Sequence, residues 1–231
     1  MDQGEQDFQA LLLRLAGEAP TDEEAKRRAI EWRRIRVDEW RQGLAKALPN
    51  WPFAKWDNED WVRRCNLSLV AELRGWSPWE RHGLSYRPTQ GLLVCGKAYS
   101  GKSSGIVACI RQAVRRVRDD LEAGEEIAGL PSVVWTTEAA LIDEQRQYRH
   151  ELFERCLFAP VLVVDELGVA GGHAAATGST PVVMHLLGQR YDRQVPTLAT
   201  SGISSRAIGE RYGSGALRRL VENAKVVDLL K

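Results

Sequence analysis

The apolar positions of this 231-residue chain follow two rhythms: a three-to-four-residue spacing that marks helices, and short unbroken runs that mark strands buried on both faces. Phe8, Leu11, Leu12 and Leu15 share one face of a short helix that Asp7 can cap and Gly17 can end. Thr21 followed by Glu24 has the form of a capping box. The longer helix it opens places Ile30, Val37, Trp40, Leu44 and Leu48 inward and stops at Pro49. Its other face interleaves Arg27, Arg28, Arg33, Arg34 and Arg41 with Glu23, Glu31 and Glu39, which reads first as a solvated surface and only second as a nucleic-acid contact.

Residues 51–88 break the rhythm with Pro52, Gly75, Pro78 and Gly83, yet they carry Trp51, Trp56, Trp61, Trp76 and Trp79. So many large rings predict packed structure, with a partner-covered surface as the alternative. A single short helix is expected over residues 58–74, with Trp61, Leu69, Val70 and Leu73 inward.

Beyond this the strand-like runs are Gly91-Leu92-Leu93-Val94-Cys95, residues 132–137, Val161-Leu162-Val163-Val164, residues 196–201 and residues 226–230. Helical patterns separate them: one through Ile106, Ile110, Ala113, Val114 and Val117, a polar one from Glu138 to about Arg155, then residues 182–191 and 216–222. A turn is expected at Gly124 and Gly129-Leu130-Pro131, and the Gly/Ala/Thr stretch 168–180 reads as flexible. Apolar strands alternating with helices predict an α/β fold, a parallel sheet flanked by helices, with a small helical region in front. The expected division is 1–50 helical, 51–90 a tryptophan-rich segment packed on the core, and 91–231 the core itself.

Composition narrows this little. A 44% hydrophobic content can fill a sizeable core, and a formal charge of +1 leaves no global basic field. Cys65, Cys95, Cys109 and Cys156 are widely spaced and read as buried, reduced thiols. With neither a leader-like stretch nor a membrane span, a cytoplasmic protein is expected.

The chemistry begins at Gly96-Lys97-Ala98-Tyr99-Ser100-Gly101-Lys102-Ser103, with Ser104 following, which fits G-x-x-x-x-G-K-[ST] between a strand and a helix. In that arrangement backbone amides cradle phosphates, the lysine reaches the outer phosphates and the hydroxyl takes Mg²⁺. The acidic strand end, Asp165-Glu166, supplies the rest: Asp165 beside Ser103 for the metal, and Glu166 to polarise a water attacking the γ-phosphate. ATP or ADP with Mg²⁺ are therefore the expected ligands. Thr200 and Ser201 either sense the γ-phosphate through their hydroxyls or cap the following helix. Arg218 and Arg219 are candidates for a charge donated to a neighbouring subunit's nucleotide, or are surface arginines.

From about Trp51 onward the chain resembles the DnaC/IstB-type helicase-loader and transposition-helper branch of the AAA+ ATPases. The resemblance rests on residues 96–103 as Walker A, V-L-V-V-D-E-L-G from Val161 to Gly168 as Walker B, Arg190 before the sensor strand, residues 196–202 as the sensor-1 strand and Ala216-Leu217-Arg218-Arg219-Leu220 as the arginine-finger helix. The approach Phe53-Ala54-Lys55-Trp56-Asp57-Asn58 also looks like that of the family. It implies an AAA+ P-loop core, Arg219 as the finger, head-to-tail ATP-dependent homo-oligomers, and DNA contacts from the segment containing Arg146, Tyr148, Arg149, His150 and Arg155, which by itself reads as a solvated helix face. The implied partners are a replicative helicase or a transposase, gripped by residues from Asp7 to Leu48, with single- or double-stranded DNA and no membrane.

Three departures bear on turnover. Tyr99 stands where the family usually has glycine, Gly202 falls where it commonly has a polar sensor, and the sequence stops at Lys231 before a sensor-2 segment, so a core without a C-terminal lid is expected. Slow or partner-stimulated hydrolysis follows from these. The alternatives are a nucleotide-gated adaptor with little hydrolysis and a small-molecule P-loop kinase, for which Glu166 would be unexpected.

Overall fold

Strands without polar alternation must find cover on both faces, and in this chain they do. A computed structural model describes residues 22–125, 127, 130–168 and 180–230. The expected helix around Phe8–Leu15, the Thr21 cap and the body of the 168–180 stretch lie outside the described residues. The chain divides into two units, Met1–Glu39 and Trp40–Lys231.

The helix α1 (Asp22–Ala47) ends two residues before Pro49, as its sequence requires. Of its expected inward positions Val37 and Leu44 are buried, but Ile30 is 63% exposed, with Trp32 and Ile35 also exposed, so the buried stripe begins about two turns later than expected. Trp40 donates its indole N–H to the Pro131 carbonyl at 2.6 Å, and Leu44 joins the core of the second unit.

In the second unit the expected single helix over 58–74 is two, α2 (Glu59–Arg64) and α3 (Leu67–Leu73). Asn58 and Asn66 each cap one, and Asn66 accepts from the Ser68 and Leu69 amides, so a second strong N-cap breaks what periodicity alone would join. Trp61, Leu69, Val70 and Leu73 are buried as expected. The hairpin β1 (Trp79–His82) and β2 (Ser85–Pro88) was not anticipated. Gly83, at φ +58°, supplies the turn that its strands need, and Arg81 and Tyr86 tie the hairpin to Asp120 at 3.2 and 2.5 Å.

The central sheet is formed by β3 (Gly91–Cys95), β4 (Val133–Thr137), β5 (Val161–Leu167), β6 (Thr197–Ser201) and β7 (Ala224–Asp228), all parallel, in the order β4-β5-β6-β3-β7. Because side chains alternate faces, each apolar run feeds two cores. Leu92, Val94, Val161, Val163 and Leu198 face one layer with α2, α3, the buried Trp56, Trp61, Trp76 and Trp79, and α4 (Lys102–Glu122). Leu93, Cys95, Leu162, Val164 and Ala199 face the other, formed by α5 (Glu138–Arg146), α6 (Glu151–Phe158), α7 (Thr180–Asp192), α8 (Ser205–Tyr212) and α9 (Ser214–Val221). The tryptophans before the sheet are thus mainly packing residues. Two further corrections concern helices: the stretch expected from Glu138 to Arg155 breaks at residues 147–150 into α5 and α6, and α8 was not foreseen. All four cysteines are buried and free, and burial pushes the thiols of Cys95, Cys109 and Cys156 up to about 12. Among the described residues no helix is long and apolar enough to cross a membrane.

Candidate functional site

The loop after β3 sits at the carboxyl end of the sheet, where the chain leaves for the far edge strand β4 while β6 and β7 flank β3. In open parallel sheets such a reversal leaves a crevice for ligands. The Gly96 amide still bonds the Ser201 carbonyl at 3.0 Å, and the chain then turns through Tyr99 (φ +61°) and Gly101 (φ +90°) before α4 begins at Lys102. A side chain at Gly96 would stand 3.0 Å from Ser100 Oγ, and one at Gly101 2.7 Å from Cys65 Sγ. Tyr99 is a non-glycine residue in the left-handed region, its ring fully exposed, which gives the physical reason why glycine suits that position.

The loop is anchored from outside by residues the sequence reading did not assign to it. Asn66 donates its amide to the Ser100 carbonyl at 3.1 Å, Cys65 packs against Gly101, and Trp61 donates its indole N–H to Ser104 Oγ at 3.3 Å. Ser104 is thereby a support for the start of α4. Its hydroxyl also donates to the Gly101 carbonyl at 3.2 Å.

Ser103 donates its hydroxyl to Asp165 Oδ1 at 2.6 Å, so the two residues expected to share a metal are adjacent. Lys102 donates to the Lys97 carbonyl at 2.7 Å, across the mouth of the loop. Burial holds its ammonium below the ordinary lysine range, against the pull of Asp165, Cys95 and Glu166. Ser100 Oγ is buried and unpartnered among the described residues. A glycine cradle, an orphan hydroxyl, a lysine and a hydroxyl–carboxylate pair together fit the phosphates of a nucleotide and a hard cation with oxygen ligands.

The tip of β5 departs from regular pairing between Val164 and Leu167. There Glu166 takes φ +59° and Gly168 φ +85°, and Asp165 is buried while Glu166 is exposed. Thr200 and Ser201, both fully buried on β6, hold this tip. Thr200 Oγ1 donates to Asp165 Oδ1 and accepts the Glu166 amide at 3.1 Å. Ser201 Oγ donates to the Leu167 carbonyl at 2.6 Å and accepts the Ile203 amide at 3.2 Å. The structure therefore joins Thr200 to the two acids and places Ser201 on backbone groups behind them; the cap of α8 is Ser204.

Arg190 is 1% exposed and, among the described residues, pairs with no carboxylate; its guanidinium donates to Thr197 Oγ1 and to the carbonyls of Cys156, Leu157, Ala159 and Pro196 at 2.5–3.3 Å. Burial lowers its pKa to about 10, and the C-terminal carbonyls of α6 favour a cation there. It joins α6, α7 and β6 and does not reach the loop. Arg218 and Arg219 are exposed, Arg218 lying 3.9 Å from Glu222. Arg219 lines a small hollow with Gly91, Pro196 and Thr197, at the amino ends of β3 and β6. Five-residue strands span roughly 16 Å, so Arg219 is at the other end of the sheet from the Gly96–Ser103 loop of its own chain. The turn between α5 and α6 brings Arg146, Tyr148, Arg149 and His150 together on an exposed edge, Tyr148 at φ +54° with its ring 89% exposed, and Arg155 follows on α6.

No protein-family model matches the sequence, and no curated protein matches it. Solved structures do resemble it. The DnaC helicase loader aligns over 70% of this chain and 86% of its own, at 17% identity and a TM-score of 0.50. DnaI aligns over 79% and 86% at 16% identity and 0.49, and a primosome component from Streptococcus pyogenes serotype M3 over 83% and 87% at 15% identity and 0.48. The loader comparison, with a five-stranded parallel sheet flanked by helices and a glycine-rich loop at its carboxyl end, shows the α/β P-loop fold in this chain.

Proposed function

We propose that this protein binds ATP with Mg²⁺, hydrolyses it slowly or under partner control, and uses it to assemble and recruit a protein partner onto DNA. The observation that carries this reading is the contact of Ser103 with Asp165 at 2.6 Å beside an exposed Glu166. A cation bound by Ser103 and Asp165 would offset charge on the phosphate oxygens. Lys102 would exchange the Lys97 carbonyl for an outer phosphate, and the free amides at the start of α4 would bind phosphate oxygens. Glu166, held by Thr200 through its backbone, would orient a water and accept its proton.

The far placement of Arg219 supports a site completed by a neighbour: in a head-to-tail assembly one subunit's amino-end surface meets the next subunit's loop. The likeness to a helicase loader favours a replicative helicase as the partner, with a transposase as the competing one. The exposed cations and ring between α5 and α6 suit single-stranded DNA, pairing charge with stacking. Residues up to Glu39, with Ile30, Trp32 and Ile35 exposed, are the partner-binding part.

The test uses the full chain. MgATP binding, ATP-dependent oligomerisation, DNA-stimulated phosphate release and capture of a helicase hexamer but not a transposase are expected. Lys102→Ala should abolish binding, and Glu166→Gln should lower turnover by about 10²–10⁴. Removing residues 1–39 should spare nucleotide binding and abolish capture. A monomer that phosphorylates a metabolite would overturn the reading. The nucleotide-gated adaptor is favoured by one observation, that Ser201 is engaged with backbone and Gly202 offers no side chain at the sensor position; recruitment that survives Glu166→Gln but not Lys102→Ala would select it.

A further inference from the structure

Three hooks hold the displaced tip of β5, and two of them, Thr200 and Ser201, come from β6. The third comes from the opposite side of the sheet. Glu138, the first residue of α5, is a carboxylate 1% exposed to solvent. Its Oε2 accepts the Gly168 amide at 2.8 Å, two residues beyond Glu166. Its Oε1 accepts the phenolic hydroxyl of Tyr212, the last residue of α8, and lies 4.0 Å from the Arg211 guanidinium. The start of α5, capped by Thr137, presents its positive end to the same carboxylate. Burial and the bond to Glu138 push the Tyr212 phenol well above its usual range, so it remains a donor.

A buried carboxylate is costly unless each oxygen is satisfied, and here both are occupied by groups from two other elements. Gly168 sits at φ +85°, a left-handed turn that favours glycine and where a side chain would also meet the Ile203 terminal methyl at 2.7 Å, and the Glu138 carboxylate holds its amide in that turn. On the far side of Glu138, Tyr212 is followed by Gly213 alone before α9, the helix with Arg218 and Arg219. One side chain thus links the Glu166 turn to the helix that bears the neighbour-facing arginines.

We propose that Glu138 is a positioning residue that holds Glu166 through the Gly168 amide and couples that turn, through Tyr212, to α9. The catalytic consequence rests on Glu166 acting on the attacking water; the mechanical link does not. Two measurements separate them. In nucleotide-free protein, hydrogen–deuterium exchange of residues 165–168 should rise at least tenfold in Glu138→Ala and also in Tyr212→Phe, whose lost hydroxyl bonds Glu138 rather than that segment. In steady-state phosphate release, Glu138→Ala should lower kcat at least tenfold with KM for ATP within threefold of wild type. Glu138→Gln should recover kcat to within threefold, because its amide oxygen can accept from Gly168 while its NH₂ donates to Tyr212. Exchange in Tyr212→Phe equal to wild type would overturn the coupling, whatever the turnover. Parallel losses in kcat and KM with Gln no better than Ala would show a merely structural role. Wild-type protein that releases no phosphate would sink the hydrolysis reading alone, since the exchange arm still decides the link.

Discussion

Replacing Thr200 with valine removes one hydroxyl from a fully buried position and leaves the shape of the side chain unchanged. Two bonds go with it, the donation to Asp165 Oδ1 and the acceptance of the Glu166 amide at 3.1 Å. A hydrogen bond to a charged group contributes about 1.5–3 kcal/mol, and an amide left without a partner costs about 1–3 kcal/mol. Asp165 keeps Ser103 at 2.6 Å, which softens the first loss, and the exposed Glu166 lets water reach the second. The net destabilisation is therefore near the lower ends, about 3 kcal/mol, which for a chain of this size lowers Tm by roughly 6–12 °C. Freed from Thr200, Glu166 can leave its left-handed conformation, so turnover should fall further than nucleotide affinity does. Thermal unfolding, titration with MgATP and phosphate release on the same preparation check all three. Thr200→Ser, which keeps the hydroxyl, should return most of the stability. A valine variant that melts within about 2 °C of wild type and turns over normally would refute the assignment of Thr200 as the hook of the acidic tip.

Further outcomes follow from the packing and from burial. Arg190→Met removes a buried cation but strands the carbonyls of Cys156, Leu157, Ala159 and Pro196, and should cost about 1–3 kcal/mol for each carbonyl left without a partner, read by urea unfolding, with nucleotide affinity unchanged wherever the protein remains folded. Gly101→Ala should lower both stability and MgATP affinity by forcing a Cβ against Cys65, whereas Tyr99→Gly, relieving a left-handed tyrosine, should leave Tm equal or higher; both are read by melting with and without nucleotide. Cys95, Cys109 and Cys156, held near 12 by burial against an ordinary 9.0, should resist alkylation at pH 8 in the folded chain and react on unfolding. Because the folded thiols are raised, their linkage favours the folded state below pH 9, and it is lost as pH climbs from there toward 12, which a pH series of unfolding midpoints would show.

Much of the candidate site is legible in the sequence because its signals are local. The spacing Gly96 to Ser103 and the acids after Val164 are short patterns whose chemistry depends on neighbours in sequence, and the runs that became β3 to β6 are mostly apolar, with only Thr and Ser at the ends of β4 and β6 and two acids at the tip of β5. The misses have equally local causes. Periodicity ran through Asn66 and residues 147–150, where a cap and a turn end the helices, and Ile30 shared the spacing of the buried face without sharing its cover. The hairpin 79–88 was hidden by strands of four residues, too short for alternation to register.

The sequence by itself determined the glycine-rich loop as a candidate phosphate site, the acidic strand end and the parallel α/β class, since each is written in the spacing of a few adjacent residues. Only the tertiary structure decided which distant groups serve them: Thr200 and Glu138 grip the tip of β5 from opposite sides, Cys65, Asn66 and Trp61 brace the loop, and Arg219 lies at the other end of the sheet. Those partners are set by strand order and by helices crossing two layers, so their separation along the chain carries no trace of their proximity. A buried glutamate after a strand reads as any helix start until the sheet closes around it.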